Sequence, residues 1–184
     1  TLSSSSAASD VYKRQIMYNK LNLMDIDIAL KTMDVDLTIP AKNTQEAFQA
    51  LCNLNAKDDL KSGCIFSSKK LIKPENSTSL AEDPSVRFIN MPWNYDEVCE
   101  TVEEILELLN FSVEKDLEGD VHILSFESAH GGDEEIFVEA LAPFVKTGSF
   151  IEWQADNGEM WRNDFVQKKM ITSTGEINWI VNAA

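Results

Sequence analysis

The chain of 184 residues is short of almost everything that marks a specialised chemistry, with three cysteines, two histidines, seven glycines and five prolines. Cys52, Cys64 and Cys99 are an odd set with no repeated spacing and no CxxC pair. That excludes a disulfide framework. With no apolar leader core ahead of a small-residue cleavage site, they read as reduced thiols of a cytoplasmic protein. His122 and His130 stand eight residues apart with no cysteine at ligand spacing, so they do not form a metal set, and no cofactor is expected. No serine sits in a nucleophile elbow. No apolar run approaches the ~18 residues of a membrane span, and no membrane association is expected. Basic residues are also scarce: 16 Lys and Arg stand against 31 Asp and Glu, a net charge of −15.

The charge is unevenly placed. Between Glu75 and Asp164 there are 22 acidic residues and only Arg87, Lys115, Lys146 and Arg162 to oppose them, while the rest of the chain is slightly basic. An acidic body of this kind repels nucleic-acid phosphates and speeds encounter with basic proteins.

The first fifteen residues, Thr1 to Gln15, carry no apolar period and resemble a translated sequencing-adapter read-through. Residues 1–15 are set aside as a non-native or disordered tail, with Met17 and Met24 as candidate starts. Residues 16–184 are expected to form a single domain with a long irregular loop over 55–95.

Within that domain, Asp34 to Ile39 alternates polar and apolar residues, which predicts a half-buried strand closed by Pro40. Thr44 is then expected to cap a helix with Ala47, Phe48, Leu51 and Leu54 inward. The loop that follows holds Pro74, Pro84 and Pro92, a lysine cluster and a short candidate strand at Val86 to Ile89. A helix from Asn94 or Asp96 to Leu109 comes next. Val98, Val102, Ile105, Leu106 and Leu109 form its buried stripe, and Glu97, Glu100, Glu103, Glu104 and Glu107 its solvated face. The adjacent Glu103 and Glu104 belong to that face and are not an acid/base dyad.

Ser112 to Asp116 and Val121 to Glu127 read as a hairpin around Leu117–Asp120. His130-Gly131-Gly132 precedes a helix capped by Asp133, with Glu134 and Glu135 suited to its positive end. Those acids occupy the place an anion would take. Pro143 should shorten that helix and Gly148 end it.

The stretch from Ile136 to Trp161 carries the most structural information and names no chemistry. After the helix, Ser149 to Ala155 and Glu159 to Val166 flank Asp156-Asn157-Gly158, a three-residue hairpin loop. Counting outward sets Trp153 opposite Trp161 and Glu152 opposite Arg162. A second turn at Ser173-Thr174-Gly175 would return the chain through Ile177 and Trp179, giving a C-terminal three-stranded meander. Trp153, Trp161, Phe150 and Trp179 are a candidate aromatic face, although such residues more often pack a sheet.

The strings ALAPFVKTGSFIEW and DNGEMWRNDF resemble a family of small acidic proteins from bacterial and phage genomes. There an APFV-x-x-GS-aromatic-Ile segment precedes an acidic Asn/Asp-Gly turn and a Trp-Arg strand. The resemblance covers the C-terminal third well and Val35 to Leu54 loosely. It implies the fold and a mobile-element origin, and brings no activity with it.

The expected architecture is α+β: an antiparallel sheet of five or six strands with two or three helices mainly on one face. The expected function is a non-enzymatic acidic binding protein, of anti-defence or immunity type, acting on a basic partner protein. Its candidate binding residues are Glu97, Glu100, Glu104, Glu107, Trp153, Trp161 and Arg162. The alternative is a small-ligand binder or enzyme with its site between the 55–95 loop and the sheet. Oligomeric state is open.

Overall fold

Strand β1 (Leu30–Ile39) organises the molecule. It begins four residues before the alternation that predicts it, because a bulge interrupts the period. The register shifts between Thr32, which faces Trp153, and Asp34, which faces Glu152, leaving Met33 as the extra residue. Where the ladder to the neighbouring strand is also broken, the Thr32 hydroxyl accepts the Phe126 N–H at 2.9 Å. The computed structural model describes residues 28–61 and 87–175. The expectations for residues 1–15, Cys64, the lysine cluster, Ile177 and Trp179 lie outside them, as does the middle of the long loop.

After β1 the chain forms α1 (Thr44–Leu54), α2 (Tyr95–Val98), α3 (Val102–Leu108), β2 (Phe111–Lys115) and β3 (Val121–Ser128). Helix α4 (Glu134–Leu141) follows, then β4 (Phe150–Ala155), β5 (Met160–Val166) and β6 (Lys169–Gly175). The six strands make one antiparallel sheet in the order β2-β3-β1-β4-β5-β6. The fold is therefore α+β with a six-stranded antiparallel sheet, as the patterning predicts. The first strand lies between two later hairpins, so its neighbours are set by long-range pairing.

One face of the sheet presents Leu37, Ile39, Phe126, Ile151, Trp153 and Phe165 to the apolar sides of the helices. The core has two aromatic groups. Trp153 meets Phe111 and Phe126 edge-on, and Phe88, Tyr95 and Phe137 form a second set, with the Tyr95 hydroxyl donating to the Leu51 carbonyl at 2.9 Å. Trp153 is fully buried. At ~25 cal/mol per Å², a side chain of that size contributes about 4–6 kcal/mol of gross burial.

Five local expectations are corrected. Asn43, not Thr44, is the cap of α1, and the Thr44 hydroxyl instead donates to Ala41 O at 2.9 Å. The helix expected from Asn94 to Leu109 is two helices. Cys99 is extended, and Thr101 starts α3 with a capping box in which its hydroxyl accepts from Glu104 N–H and the Glu104 carboxylate accepts from Thr101 N–H. The described end of the candidate strand, Arg87 to Ile89, is not a strand. Helix α4 ends at Leu141, ahead of Pro143; Gly148 (φ +93°) lies beyond it in the loop and donates its N–H to Phe165 O. The meander turns at Gln167 and Lys168, both at positive φ, and Ser173-Thr174-Gly175 is the end of strand β6.

The central hairpin keeps its expected register. Trp153 pairs with Trp161, their rings stacked 6.0 Å apart at 15°, and Glu152 pairs with Arg162. The Ala155 N–H donates to Glu159 O across the three-residue loop, with Gly158 at φ +88°.

Candidate functional site

Alternation along the strands turns one set of side chains to the helices and the other set away from them. On the second face, pairing lines up Asp36, Phe150, Asp164 and Ile171 in one row, and Asp34, Glu152, Arg162 and Ser173 in the next. Towards β2, the outward residues are Glu114, His122 and Thr38. Asp34, Asp36 and Glu114 are exposed, and Ile171 and Leu124 are each 51% exposed. No described helix covers this face.

Its charges are poorly matched. Asp34 stands directly opposite Glu152, a like-charge pair of the kind that destabilises a sheet. Arg162 lies opposite Glu152 on the next strand and is already engaged three ways. It donates to Glu152 at 2.6 Å and to Asp164 at 2.9 Å, and its guanidinium lies 3.7 Å from the centre of the Phe150 ring. Lys31 faces Glu127 across the β1–β3 ladder, so those two charges offset each other. Asp34, Asp36 and Glu114 are left without a described cation.

At the β2–β3–β1 corner the face sinks into an open depression of about 380 Å³, lined by Asp36, Thr38, Glu114, Asp116, His122 and Leu124 among others. Leu124 is there because a β-bulge in β3 adds one residue between Ile123 and Ser125. The His122 ring is fixed on both sides: Nε2 lies 3.1 Å from Asp116 and Nδ1 lies 3.1 Å from the Thr38 hydroxyl. The carboxylate accepts from Nε2–H, and Nδ1 and the Thr38 hydroxyl share the second hydrogen bond. The Asp116 carboxyl is held below its ordinary range by the hydrogen bond from His122, aided by the N–H groups of Asp120 and Glu118.

A Thr–His–Asp chain suggests nucleophilic catalysis, and the geometry argues against it. Thr38 is only 5% exposed, and its hydroxyl is spent on a cross-strand neighbour. Its backbone N–H is directed at Ser149 Oγ. The trio is better understood as a brace. Nearby, Asp120 accepts from Ala41 N–H at 2.8 Å and from Lys146 at 2.9 Å, which anchors the β2–β3 hairpin against the end of β1. Among the described residues, no group of three or more His, Cys, Asp and Glu side chains could hold a metal ion.

The residues expected to bind a partner are dispersed. Glu97 and Glu100 belong to the α2 segment and the bend after it, while Glu104 and Glu107 lie on α3. All four are exposed, but the Glu104 carboxylate is committed to the Thr101 and Glu100 N–H groups. Trp153 is fully buried, and Trp161 is half-buried with its indole N–H donating to Glu135 at 2.9 Å. Arg162 and Phe150 point to the opposite face, so the aromatics do not form one binding surface.

The acids at the start of α4 hold the expected cap and first-turn positions and also anchor the helix. Asp133 and Glu134 are buried, and each carboxylate ties the helix to a different segment. Asp133 accepts from Ile89 N–H, Glu134 from Gly132 N–H at 2.8 Å, and Glu135 from Trp161 and Asn163. Burial pushes the Glu134 carboxyl up to about 7, with Asp133 and Glu135 adding to the rise. Cys99 is likewise pushed up by burial to about 12, and Cys52 is raised, so neither thiol is an activated nucleophile.

No family model, curated protein or solved structure matches the chain, so no relative's activity bears on these residues.

Proposed function

We propose that the chain is a non-enzymatic binding protein whose partner is a basic protein. The observation that carries this reading is a surplus of exposed carboxylates that the fold itself leaves unmatched. Asp34 opposite Glu152 costs stability, and neither Asp34, Asp36 nor Glu114 has a described cation to offset it. A solubilising surface needs charge but gains nothing from setting like charges face to face. A cationic partner removes that repulsion on binding. The raised Cys52 and Cys99 thiols and the spent Thr38 hydroxyl agree with a role in binding. The resemblance to mobile-element proteins suits an inhibitor or immunity-type protein working in the cytoplasm.

The test is association with a basic and an acidic protein of equal size, followed as salt is raised. The association rate with the basic protein should be high and fall steeply with salt, while the acidic one should not bind. Duplex DNA should not be retarded at low salt, where phosphate contacts are strongest. A salt-sensitive DNA shift, or equal binding of both proteins, would overturn the proposal.

A further inference from the structure

We propose that the uncovered sheet face, centred on the depression between β2, β3 and β1, is where a lysine- and arginine-rich segment of the partner docks. This rests on the basic-partner reading and names its surface.

Two acidic surfaces compete for the role. On the helical side, part of the charge already has a structural use. Glu104 closes the capping box of α3, and Glu103 is paired with Lys115 at 2.7 Å. On the sheet face Glu152 and Asp164 are likewise engaged, by Arg162, and the difference lies in its shape and in the strand pairing that gathers its carboxylates. Its carboxylates come from β1, β2, β4 and β5, and the pairing that unites them gives Asp34, Asp36 and Glu114 no described counter-charge.

The depression supplies the second argument. Three of its lining residues are carboxylates (Asp36, Glu114 and Asp116), while the half-exposed Leu124 brings alkyl surface to the same hollow. Acidic groups beside aliphatic wall match a long alkyl stem with a cationic tip, which is the build of lysine and arginine. The bulge that places Leu124 there and the brace that fixes His122 keep this wall in shape.

The charge also chooses among occupants. A nucleic acid, an anionic membrane or the same face of a second copy would add negative charge to negative charge. A neutral apolar helix would bury carboxylates with nothing to pair them. An extended cationic segment satisfies both the charges and the alkyl surface.

The probe is fluorescein-labelled octa-arginine, with binding followed by fluorescence anisotropy at about 20 mM salt, where screening is weak. Two variants each remove three exposed charges: Asp34→Asn/Asp36→Asn/Glu114→Gln on the sheet face and Glu97→Gln/Glu100→Gln/Glu107→Gln on the helical side. The sheet-face variant should weaken binding by about tenfold, the sum of three exposed charge pairs, and the helical variant by less than about threefold. Carboxyl footprinting of the unaltered protein gives an independent readout, and bound peptide should protect Asp34, Asp36 and Glu114 but not Glu97 or Glu107. Equal losses in the two variants, or protection on the helical side, would overturn the surface assignment while leaving the basic-partner reading standing. No binding by the unaltered protein would instead overturn that reading itself.

Discussion

Glu134 gives the sharpest test of the folded core, because a carboxyl buried at the head of α4 links stability to pH in a definite direction. Its side chain is 3% exposed on a residue flanked by Asp133 and Glu135. Its folded pKa is raised from 4.5 to about 7. Below about 4.5 both folded and unfolded chains hold the proton. Between the two values only the folded chain does, so stability falls as pH rises through that window and levels off above about 7. At about 1.4 kcal/mol per pH unit, the whole window contributes about 3 kcal/mol at most. Glu134→Gln keeps the shape and a carbonyl to accept the Gly132 N–H, and it removes the charge. Melting temperatures of both proteins from pH 5 to 8 are the assay. The variant should gain on the parent as pH rises, by roughly 6–12 °C across the window at the upper limit. Asp116 and Asp120, whose depressed pKa values make stability fall towards acid, are unchanged in the variant and cancel in the difference. A difference that does not vary with pH would show that Glu134 is not a buried titrating group, and the packing of the α4 start described above would be wrong.

Trp161→Ala should cost about 3 kcal/mol in urea unfolding, since it removes the stack on Trp153 and the donor to Glu135. Arg162→Ala should cost clearly less than Trp161→Ala, since it removes only two part-exposed ion pairs and a ring contact, and the reverse ranking would refute the hairpin register. Gly132→Ala should destabilise by about 1–3 kcal/mol, because an added Cβ would meet Ile89 side-chain carbons at 2.7 and 2.9 Å. Gly158→Ala has open space around it, so its cost should be only the ~1–2 kcal/mol of a left-handed backbone. Thr101→Ala should cost about 1 kcal/mol by removing one half of the capping box, and a negligible change would mean that α2 and α3 behave as one helix.

What could be read from the sequence was whatever neighbouring residues decide between themselves. Asp156-Asn157-Gly158 limits the loop to a few geometries, and only one of them matches tryptophan with tryptophan and glutamate with arginine. The turn at Gln167 and Lys168 carried no such signal, since neither residue favours positive φ, and glycine at 175 drew the expectation to the wrong place. The break between α2 and α3 was legible in principle. Thr101 and Glu104 have capping-box spacing, but an unbroken apolar stripe from Val98 to Leu109 overrode it, because a stripe tolerates a short interruption that keeps the buried residues on one side.

The acids at the start of α4 and those on the open sheet face show a deeper limit. Acidic residues in a first helical turn are usually solvated, and nothing local distinguishes Glu134 from that case. Its burial depends on where α4 sits against the Ile89 segment and the glycine loop. The candidate site depends on topology in the same way. Alternation assigns Asp34 and Asp36 to the polar side of β1, and hairpin pairing does the same for Glu114 and Glu152. Neither indicates that these are one surface. That follows only because β1 lies between β3 and β4, which brings Asp36 to the same depression as Asp116 and places Asp34 against Glu152. Each strand contributes an ordinary solvated carboxylate, and the pairing order turns them into a concentrated, repulsive field. Because the field belongs to the strand order, it should disappear on local misregistration of β1 even if every carboxylate remained exposed.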